Sequence, residues 1–117
     1  MLKSFRDMDV WQKAHELSIR VFKISSGLPK AEDYALTSQI RRSSNSISAN
    51  IAEGFGRTTK KDKSYFYTVA RGSAYETQNH LLYGNGVDYF DLETTESLIS
   101  EYDDLIHQLN KIMKSLG

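Results

Sequence analysis

The sequence predicts an all-α fold, an antiparallel up-down-up-down four-helix bundle in which residues 1–117 form a single domain. Three observations point to this fold. Apolar residues recur at intervals of three and four in four segments of about 17 to 28 residues, glycines and a single proline separate the segments, and no stretch alternates like a strand. A chain of 117 residues is long enough for one core. Short connections make neighbouring helices antiparallel.

The first helix is predicted to start at Asp7 or Asp9, either of which can serve as its N-cap. Its inward positions recur at helical spacing and are Trp11, Ala14, Leu17, Ser18, Val21, Ile24 and Ser25. Gly27 is expected to take the left-handed conformation that ends many helices, and Pro29 cannot continue the helix.

The second helix contains the most unusual stretch of the chain, residues 39–57, and is predicted to run to about Phe55. Glu32 and Asp33 are expected in its first turn, where negative charge complements the helix dipole. A thin apolar seam lies between serines and alanines: Leu36, Ile40, Ile47, Ile51 and Phe55. Such small neighbours allow another helix to pack very closely. Asn50 and Glu53 lie beside the seam and need polar partners where packing covers them.

The third helix is expected to begin after Thr58 or Thr59, with one of these threonines as its N-cap. Its inward positions are predicted to be Phe66, Val69, Ala70, Ser73, Ala74, Thr77, Leu81 and Val87. Gly72 costs roughly 1 kcal/mol of helix propensity relative to alanine, so we expect a close helix contact at this position.

The fourth helix is predicted to begin near Glu93 or Thr94 and has the most regular pattern in the chain. Steps of four and three, the a/d pattern of bundle packing, connect Leu98, Tyr102, Leu105, Leu109, Ile112 and Leu116. A second column of Ile99, Ile106 and Met113 makes the apolar stripe wider than one partner helix covers. Two alternatives stay open for this column, core packing and contact with another protein.

Composition and targeting signals predict a cytoplasmic protein without a membrane partner. Hydrophobic residues make up 39% and charged residues 26% of the chain, as in ordinary globular proteins. No apolar run is long enough to span a membrane, and the N-terminus lacks the apolar segment of a secretory signal. Because there is no cysteine, a disulfide framework, a thiolate metal site and a cysteine nucleophile are excluded.

The formal net charge of zero hides an uneven distribution. Residues 1–78 hold 13 Lys and Arg against eight Asp and Glu, whereas residues 79–117 hold two Lys against seven acids. Either helices of opposite charge lie side by side, or a basic face meets an anionic partner.

Several strings of residues resemble a known family. They are Val10-Trp11-Gln12-Lys13-Ala14, Gln39-Ile40-Arg41-Arg42, Ser46-Ile47-Ser48-Ala49-Asn50-Ile51-Ala52-Glu53-Gly54, and Ala70-Arg71-Gly72-Ser73 with Glu76. Together they resemble the four-helix bundle family named for the 23S rRNA intervening sequence, which is similar to the accessory proteins of diversity-generating retroelements. The resemblance implies a ring-like homo-oligomer, often a pentamer, a basic surface that contacts nucleic acid, and no enzyme activity.

The candidate nucleic-acid site is a group of seven basic residues between positions 41 and 71. They are Arg41, Arg42, Arg57, Lys60, Lys61, Lys63 and Arg71. If the second and third helices form a hairpin about Thr58, we expect Arg41, Arg42 and Arg71 at one height. The other four residues then lie at the turn, roughly 20 Å away, and the two groups can follow several phosphates.

Binding by this surface is expected to be electrostatic and weakly sequence-specific, because no recognised nucleic-acid-reading motif is present. RNA is the expected partner in preference to DNA. Tyr65 and Tyr67 flank the basic turn, and two interpretations stay open for them: stacking on unpaired bases, or packing within the bundle. Assembly into a ring multiplies the contacts, so weak single sites gain avidity.

Four polar residues on small-residue faces are predicted to form a structural hydrogen-bonded network that fixes helix register. They are Asn50, Glu53, Ser73 and Glu76. We expect Arg41 or Arg42 to neutralise one of the carboxylates. A binding cleft is the functional alternative for these positions.

No cofactor, metal or catalytic site is predicted. Asp104-x-x-His107 has the spacing used in di-iron bundles, and Glu53, Glu76 and His80 are the conceivable further ligands. Such sites need this motif on two helices, and here it occurs once. The alternative function is a structural or adaptor protein whose oligomeric surface binds another protein, with the Ile99 column, Trp11 and Phe5 as its sequence support.

Overall fold

The computed structural model describes residues 2–117 and contains four long helices. They are α1 (Asp9–Ser25), α2 (Leu36–Phe55), α3 (Lys60–Gly86) and α4 (Leu92–Leu116). Short 3₁₀ turns at Phe5–Asp7 and Lys30–Glu32 precede α1 and α2. Each helix packs against the next one in sequence, and α1 also packs against α4. The predicted antiparallel four-helix bundle is confirmed, and the described residues contain no strand.

The core runs the length of the bundle and uses the predicted seams. Fully buried side chains come from all four helices: Leu17, Val21, Ile40, Ile47, Ile51, Leu81, Leu98, Tyr102, Leu105 and Leu109. Each buried aliphatic side chain stabilises the fold by about 1.5–3 kcal/mol. The second column of α4 is also core packing, because Ile106 is 5% exposed and Ile99 and Met113 pack against the cluster. The contact with another protein that the sequence left open for this column is therefore unnecessary.

The closest helix pair is α2 with α3. A Cβ atom added at Gly54 would lie 2.7 Å from Cε1 of Tyr67, so only glycine allows this approach. The expected close contact at Gly72 is wrong, since a Cβ atom there meets nothing within 4 Å. Tyr67 rather than Phe66 is the buried aromatic residue of this helix, and Val87 is 42% exposed.

The helix starts follow local capping rather than the first acidic residue. Met8 is the N-cap of α1, not Asp7 or Asp9. Asp7 instead closes the preceding 3₁₀ turn, where its Oδ2 accepts the backbone N–H groups of Lys3 and Ser4, each at 3.1 Å. The prediction of Thr59 as the N-cap of α3 is confirmed, because its hydroxyl accepts the N–H of Asp62 at 3.1 Å.

The other helix ends differ from the predictions by a few residues. Gly27 does not take the left-handed conformation, which the described residues show at Asp88 and Gly117. Glu32 precedes α2 rather than lying in its first turn, although its carboxylate accepts the N–H of Leu36 at 3.2 Å. Helix α4 begins at Leu92, one residue before the prediction, because the side chain of Asp91 accepts the N–H of Thr94 at 2.7 Å.

Candidate nucleic-acid interface

The turn between α2 and α3 is built by a lysine that closes one helix and a threonine that starts the next. Lys63 Nζ donates to the carbonyl oxygens of Phe55 at 2.7 Å and Gly54 at 3.3 Å. These carbonyls belong to the last turn of α2, where helix ends leave acceptors without intrahelical partners. The Gly54 oxygen also accepts the N–H of Arg57 at 3.2 Å. The charge of Lys63 is therefore used within the fold, where it also offsets the negative end of the α2 dipole.

Arg57 at the same turn is held by two neighbours. Its Nη2 lies 3.0 Å from Oε2 of Glu53, and its guanidinium lies 4.6 Å from the ring centroid of Phe66. Both contacts are on the surface, so a polyanion can compete with the Glu53 carboxylate for this charge.

Lys60 and Lys61 begin α3 and are exposed, and neither forms a hydrogen bond or an ion pair with another residue of the range 2–117. Their neighbour across the surface is the end of α4. One shallow cleft is lined by Lys60, Lys61 and Tyr65 together with Met113 and Leu116. Two more exposed lysines, Lys111 and Lys114, lie in this last part of α4. Four lysines from two distant segments thus lie at the same end of the bundle, with Lys111 at a separate cleft that Asp7 and Asp9 also line.

Sequence reasoning did not assign Lys111 and Lys114 to this site. They are the two basic residues of an otherwise acidic segment, and that isolation was the available signal. Antiparallel packing is what brings the C-terminus of α4 beside the α2–α3 turn, so only a register for α3 against α4 could have revealed the site.

Arg41 has a structural role at the opposite end. Its Nε donates to Oγ of Ser25 at 2.8 Å, and its Nη2 donates to Oγ of Ser26 and to the carbonyl oxygen of Phe22. The guanidinium also lies 4.1 Å from the ring centroid of Phe22. Arg41 therefore closes the C-terminus of α1 and does not neutralise a carboxylate. Its neighbour Arg42 is exposed.

The predicted gathering of Arg41, Arg42 and Arg71 at one height is wrong. Hydrogen bonds from Ser43 to Thr77 and from Ser73 to Ser46 set the register of α2 against α3. By this register Arg71 lies about 12 Å along the axis from Arg41, at 1.5 Å per residue. It also turns to the other side of the bundle, where its Nη1 donates to Oδ1 of Asn110 at 2.8 Å.

The charges separate by bundle end. We define the basic end as residues 2–9, 53–63 and 110–117, and the acidic end as residues 23–36 and 84–97. The basic end carries eight Lys and Arg side chains against four Asp and Glu, whereas the acidic end carries two against six. One polyanion can thus be attracted to one end and repelled by the other.

The predicted polar network is smaller than expected. Asn50 Nδ2 donates to Ser46 at its carbonyl oxygen (2.8 Å) and Oγ (3.0 Å), and Ser73 Oγ donates to the same Oγ atom. Glu53 and Glu76 are exposed and contact residues four positions later in the chain, Arg57 of the α2–α3 turn and His80 of α3. The structure adds a buried pair that the sequence did not indicate, Ser43 and Thr77, whose hydroxyls are 2.8 Å apart.

The two tyrosines of the turn have different surroundings. Tyr67 is 3% exposed, and burial raises the pKa of its phenol above the ordinary value. Of the two interpretations, packing therefore holds for Tyr67, which cannot stack on bases. Tyr65 is 62% exposed beside the lysines and can offer a ring face to a base.

The residues of the conceivable di-iron site do not converge. Asp104 lies 4.0 Å from Lys13, and Glu76 contacts His80 on α3. Within residues 2–117, no group of three His, Cys, Asp or Glu side chains could hold a metal ion. None of the helices in this range is long and apolar enough to cross a membrane.

Comparisons with known proteins connect this geometry to a family. The family model described as 23S rRNA-intervening sequence protein matches residues 6–111, which include nearly all of the bundle. A solved structure from Bacteroides thetaiotaomicron, a protein of unknown function from the S23 ribosomal protein family, is similar with a TM-score of 0.83 and 26% identity. The match covers 90% of this chain and 98% of that one. A search of curated proteins finds no match. The chain belongs to the family of 23S rRNA-intervening sequence proteins.

Proposed function

We propose that this protein is a non-enzymatic cytoplasmic homo-oligomer that binds nucleic acid through its basic end, RNA in preference to DNA. The favoured assembly is a pentameric ring. The observation that carries the proposal is that Lys60 and Lys61 of α3 lie at the same end of the bundle as Lys111 and Lys114 of α4. These charges are exposed, and basic side chains outnumber acidic ones eight to four at this end.

Binding rests on phosphate contacts. Each lysine that meets a phosphate releases a condensed counterion, so the logarithm of the affinity falls by roughly 0.9 per contact for each tenfold rise in salt. Lysine is a flexible point charge without a fixed fork, which suits a backbone of variable shape more than a particular base. The N-terminus of α3 adds its partial positive charge at the same end.

Oligomerisation strengthens such a surface. A ring whose axis runs along the helices places every basic end on the same side, so a folded RNA can bind several copies at once. The second contact then occurs at the high local concentration that the first one creates. The family is named for insertions within ribosomal RNA genes, where some of its genes lie, and structured RNA is therefore the first partner to test.

Fluorescence anisotropy with a structured RNA and a duplex DNA, each at about 50 mM and 200 mM salt, tests the proposal. The variant Lys60→Glu/Lys61→Glu loses two phosphate contacts and is expected to bind roughly a hundredfold more weakly at the lower salt concentration. The slope of the logarithm of its affinity against the logarithm of the salt concentration is expected to become shallower by roughly 1.8, the contribution of two phosphate contacts. The control Lys23→Glu/Lys30→Glu makes the same charge change at the acidic end and is expected to bind within about threefold of the wild type.

Equal losses in the two variants would contradict the proposal, because net charge rather than the basic end would then control binding. Absence of wild-type binding to both nucleic acids at the lower salt concentration would also contradict it. Tighter binding of the duplex DNA than of the RNA would contradict the RNA preference alone.

One observation favours the adaptor function as a second candidate. The acidic end exposes large apolar side chains, with Tyr34 99%, Leu92 62% and Val87 42% exposed. Exposed apolar groups beside acidic ones suit a protein partner, whereas they form no favourable contact with the phosphates of a polyanion. Capture of a protein partner that survives about 1 M salt, together with the absence of RNA binding, would favour this candidate.

A further inference from the structure

The outward face of α3 is unlike the rest of the surface. Between Tyr65 and Gly86 this helix has nine exposed residues, and Glu76 is the one charged residue among them. On α4, by contrast, six of the twelve exposed residues are charged. Tyrosine-rich surface that is depleted of charge is typical of the centre of protein interfaces. We call the middle of this face the α3 ridge and define it as Tyr75, Asn79, Leu82 and Tyr83.

A groove of matching character lies between α1 and α2. It encloses about 670 Å³, and its walls include Ile19 and Phe22 of α1 and Arg42, Asn45 and Ser46 of α2. Ile19 is 43% and Phe22 55% exposed, so packing within one chain leaves apolar surface uncovered here. We call this feature the α1–α2 groove. The ridge and the groove lie on different sides of the bundle, because α3 does not pack against α1.

The two features lie at the same height along the bundle. The Ser43–Thr77 and Ser73–Ser46 hydrogen bonds place residues 41–46 of α2 level with residues 74–79 of α3. In a ring whose axis runs along the helices, neighbouring copies are related by rotation without a shift along the axis. Surfaces that meet between copies must therefore have the same height. Tyr75 and Asn79 of the ridge fulfil this condition, and Leu82 and Tyr83 lie within about 6 Å of the groove along the axis, at 1.5 Å per residue.

The charges at this height are complementary as well. Glu76 lies on the edge of the α3 face that is nearer to α2, and its described contact is His80 at 3.3 Å. Arg42 lies on the rim of the groove and forms no ion pair within residues 2–117. By the same register the two residues are separated by about 3 Å along the axis. When a ridge enters the groove of a parallel copy, its α2-side edge faces the α2 wall, so Glu76 meets Arg42.

We propose that the α3 ridge of one copy packs into the α1–α2 groove of the next copy, and that this heterologous contact closes the ring. The inference rests on the proposed homo-oligomer and adds its interface. A heterologous contact uses two different patches on every chain, so rotation can close it into a ring. The ridge supplies the aromatic anchors, and the Glu76–Arg42 pair fixes the height of the neighbouring copies.

Sedimentation velocity of three single variants tests the interface. Leu82→Glu places a charge on the ridge, and Ile19→Glu places one in the groove. Both side chains are about half exposed, so the folded chain tolerates either change, and far-ultraviolet circular dichroism checks this. Each variant is expected to sediment as a single chain of 13.4 kDa. The control Tyr34→Glu alters a 99% exposed residue outside both surfaces and is expected to keep the wild-type mass.

A mixture of the two interface variants gives the sharper result. The first retains an intact groove and the second an intact ridge, so one good contact can form between them. We expect a one-to-one dimer that does not grow further. If the copies instead associated ridge to ridge, Ile19→Glu would leave the oligomer mass unchanged. That result would overturn the proposal.

Wild-type mass for Leu82→Glu or a monomeric wild type would overturn it too. These outcomes are distinct from failure of the proposed nucleic-acid function, because the lysines that carry that function lie at the basic end. The anisotropy of Lys60→Glu/Lys61→Glu is expected to change while its oligomer mass stays that of the wild type.

Discussion

The two ends of this bundle differ more from each other than the composition of the chain suggests. The basic end exposes lysines with free ammonium groups, whereas the acidic end carries carboxylates and exposed tyrosines. A formal net charge of zero therefore describes neither end. Charges farther than about 10 Å from a phosphate are largely screened at ordinary ionic strength, and the bundle is 43 Å long. The electrostatic quantity that matters for binding is therefore the charge of each end.

The ends also differ in how their turns are made. At the basic end the ammonium group of Lys63 donates to the last carbonyls of α2, and the side chains of Lys60 and Lys61 remain exposed without a partner in residues 2–117. At the acidic end the turn after α3 closes on itself, because the carbonyl oxygen of Gly84 accepts the N–H groups of Tyr89 and Phe90. One turn thus presents charge to solvent, and the other packs an aromatic ring against a glycine.

Charge reversal of the α4 lysines is expected to reduce the difference between the two ends most strongly. We expect Lys111→Glu/Lys114→Glu to weaken RNA binding roughly a hundredfold at about 50 mM salt, since two phosphate contacts are lost. The matched change at the other end, Glu93→Gln/Glu96→Gln, is expected to alter the affinity less than about threefold. Anisotropy titrations measure both. An unaffected Lys111→Glu/Lys114→Glu variant would show that the α2–α3 turn binds alone.

The acidic-end turn can be broken by a single methyl group. An added Cβ atom at Gly84 would lie 2.4 Å from the ring of Phe90, which is 6% exposed and has little room to move. Gly84→Ala is therefore expected to destabilise the protein by about 1–3 kcal/mol. Gly72→Ala is the control, because open space surrounds it, and it is expected to stabilise by up to about 1 kcal/mol. Urea unfolding measures both, and equal signs would refute the steric account.

The lysines of the basic end can be sorted by what they bind. Lys63→Met removes the two hydrogen bonds to the end of α2 and is expected to lower the free energy of unfolding by about 1 kcal/mol. Lys61→Met removes no contact within the fold and is expected to leave stability unchanged while it weakens RNA binding. Thermal unfolding and anisotropy of both variants check this division. Reversed effects would mean that Lys63, not Lys61, faces the ligand.

The smallest effect concerns acid. The backbone N–H of Thr94 lowers the pKa of the Asp91 carboxyl below its ordinary value, with the Thr94 hydroxyl as a second cause. The contribution of Asp91 to stability is therefore complete above the ordinary value of about 4 and is lost as the pH falls through the lowered pKa. We expect the urea midpoint of the wild type to fall more steeply than that of Asp91→Asn below about pH 4. Parallel curves would contradict this role of the cap.

Much of the fold was predictable because periodicity reports directly on burial. The seam of Ile40, Ile47 and Ile51 and the a/d pattern of α4 are both in the core. Individual contacts were less predictable. Phe66 and Tyr67 are adjacent aromatic residues, and the sequence did not reveal that Tyr67 is the one that packs on Gly54. Gly72 and Gly84 belong to the same helix and differ only in the side chains that neighbouring elements place beside them.

The candidate site was predictable in part for a related reason. Lys60 and Lys61 follow the end of α2 and form the start of α3, so their exposure could be expected from local sequence. Arg41, Lys63 and Arg71 have the same formal charge, yet each donates to a polar atom of the fold. A basic residue in a sequence does not indicate whether its charge is available, since carbonyl groups at helix ends compete for it.

The sequence by itself determined the four helices, their order and the apolar faces that pack together, because these depend on spacing within about 20 residues. It also determined that the charges are unevenly distributed along the chain. The packing of the helices, which the sequence does not show, places Lys111 and Lys114 at the same end as Lys60 and Lys61 and ties Arg41 to the end of α1. The physical reason is that antiparallel packing brings residues 50 positions apart to the same end, with a register set by buried side chains such as Ser43 and Thr77.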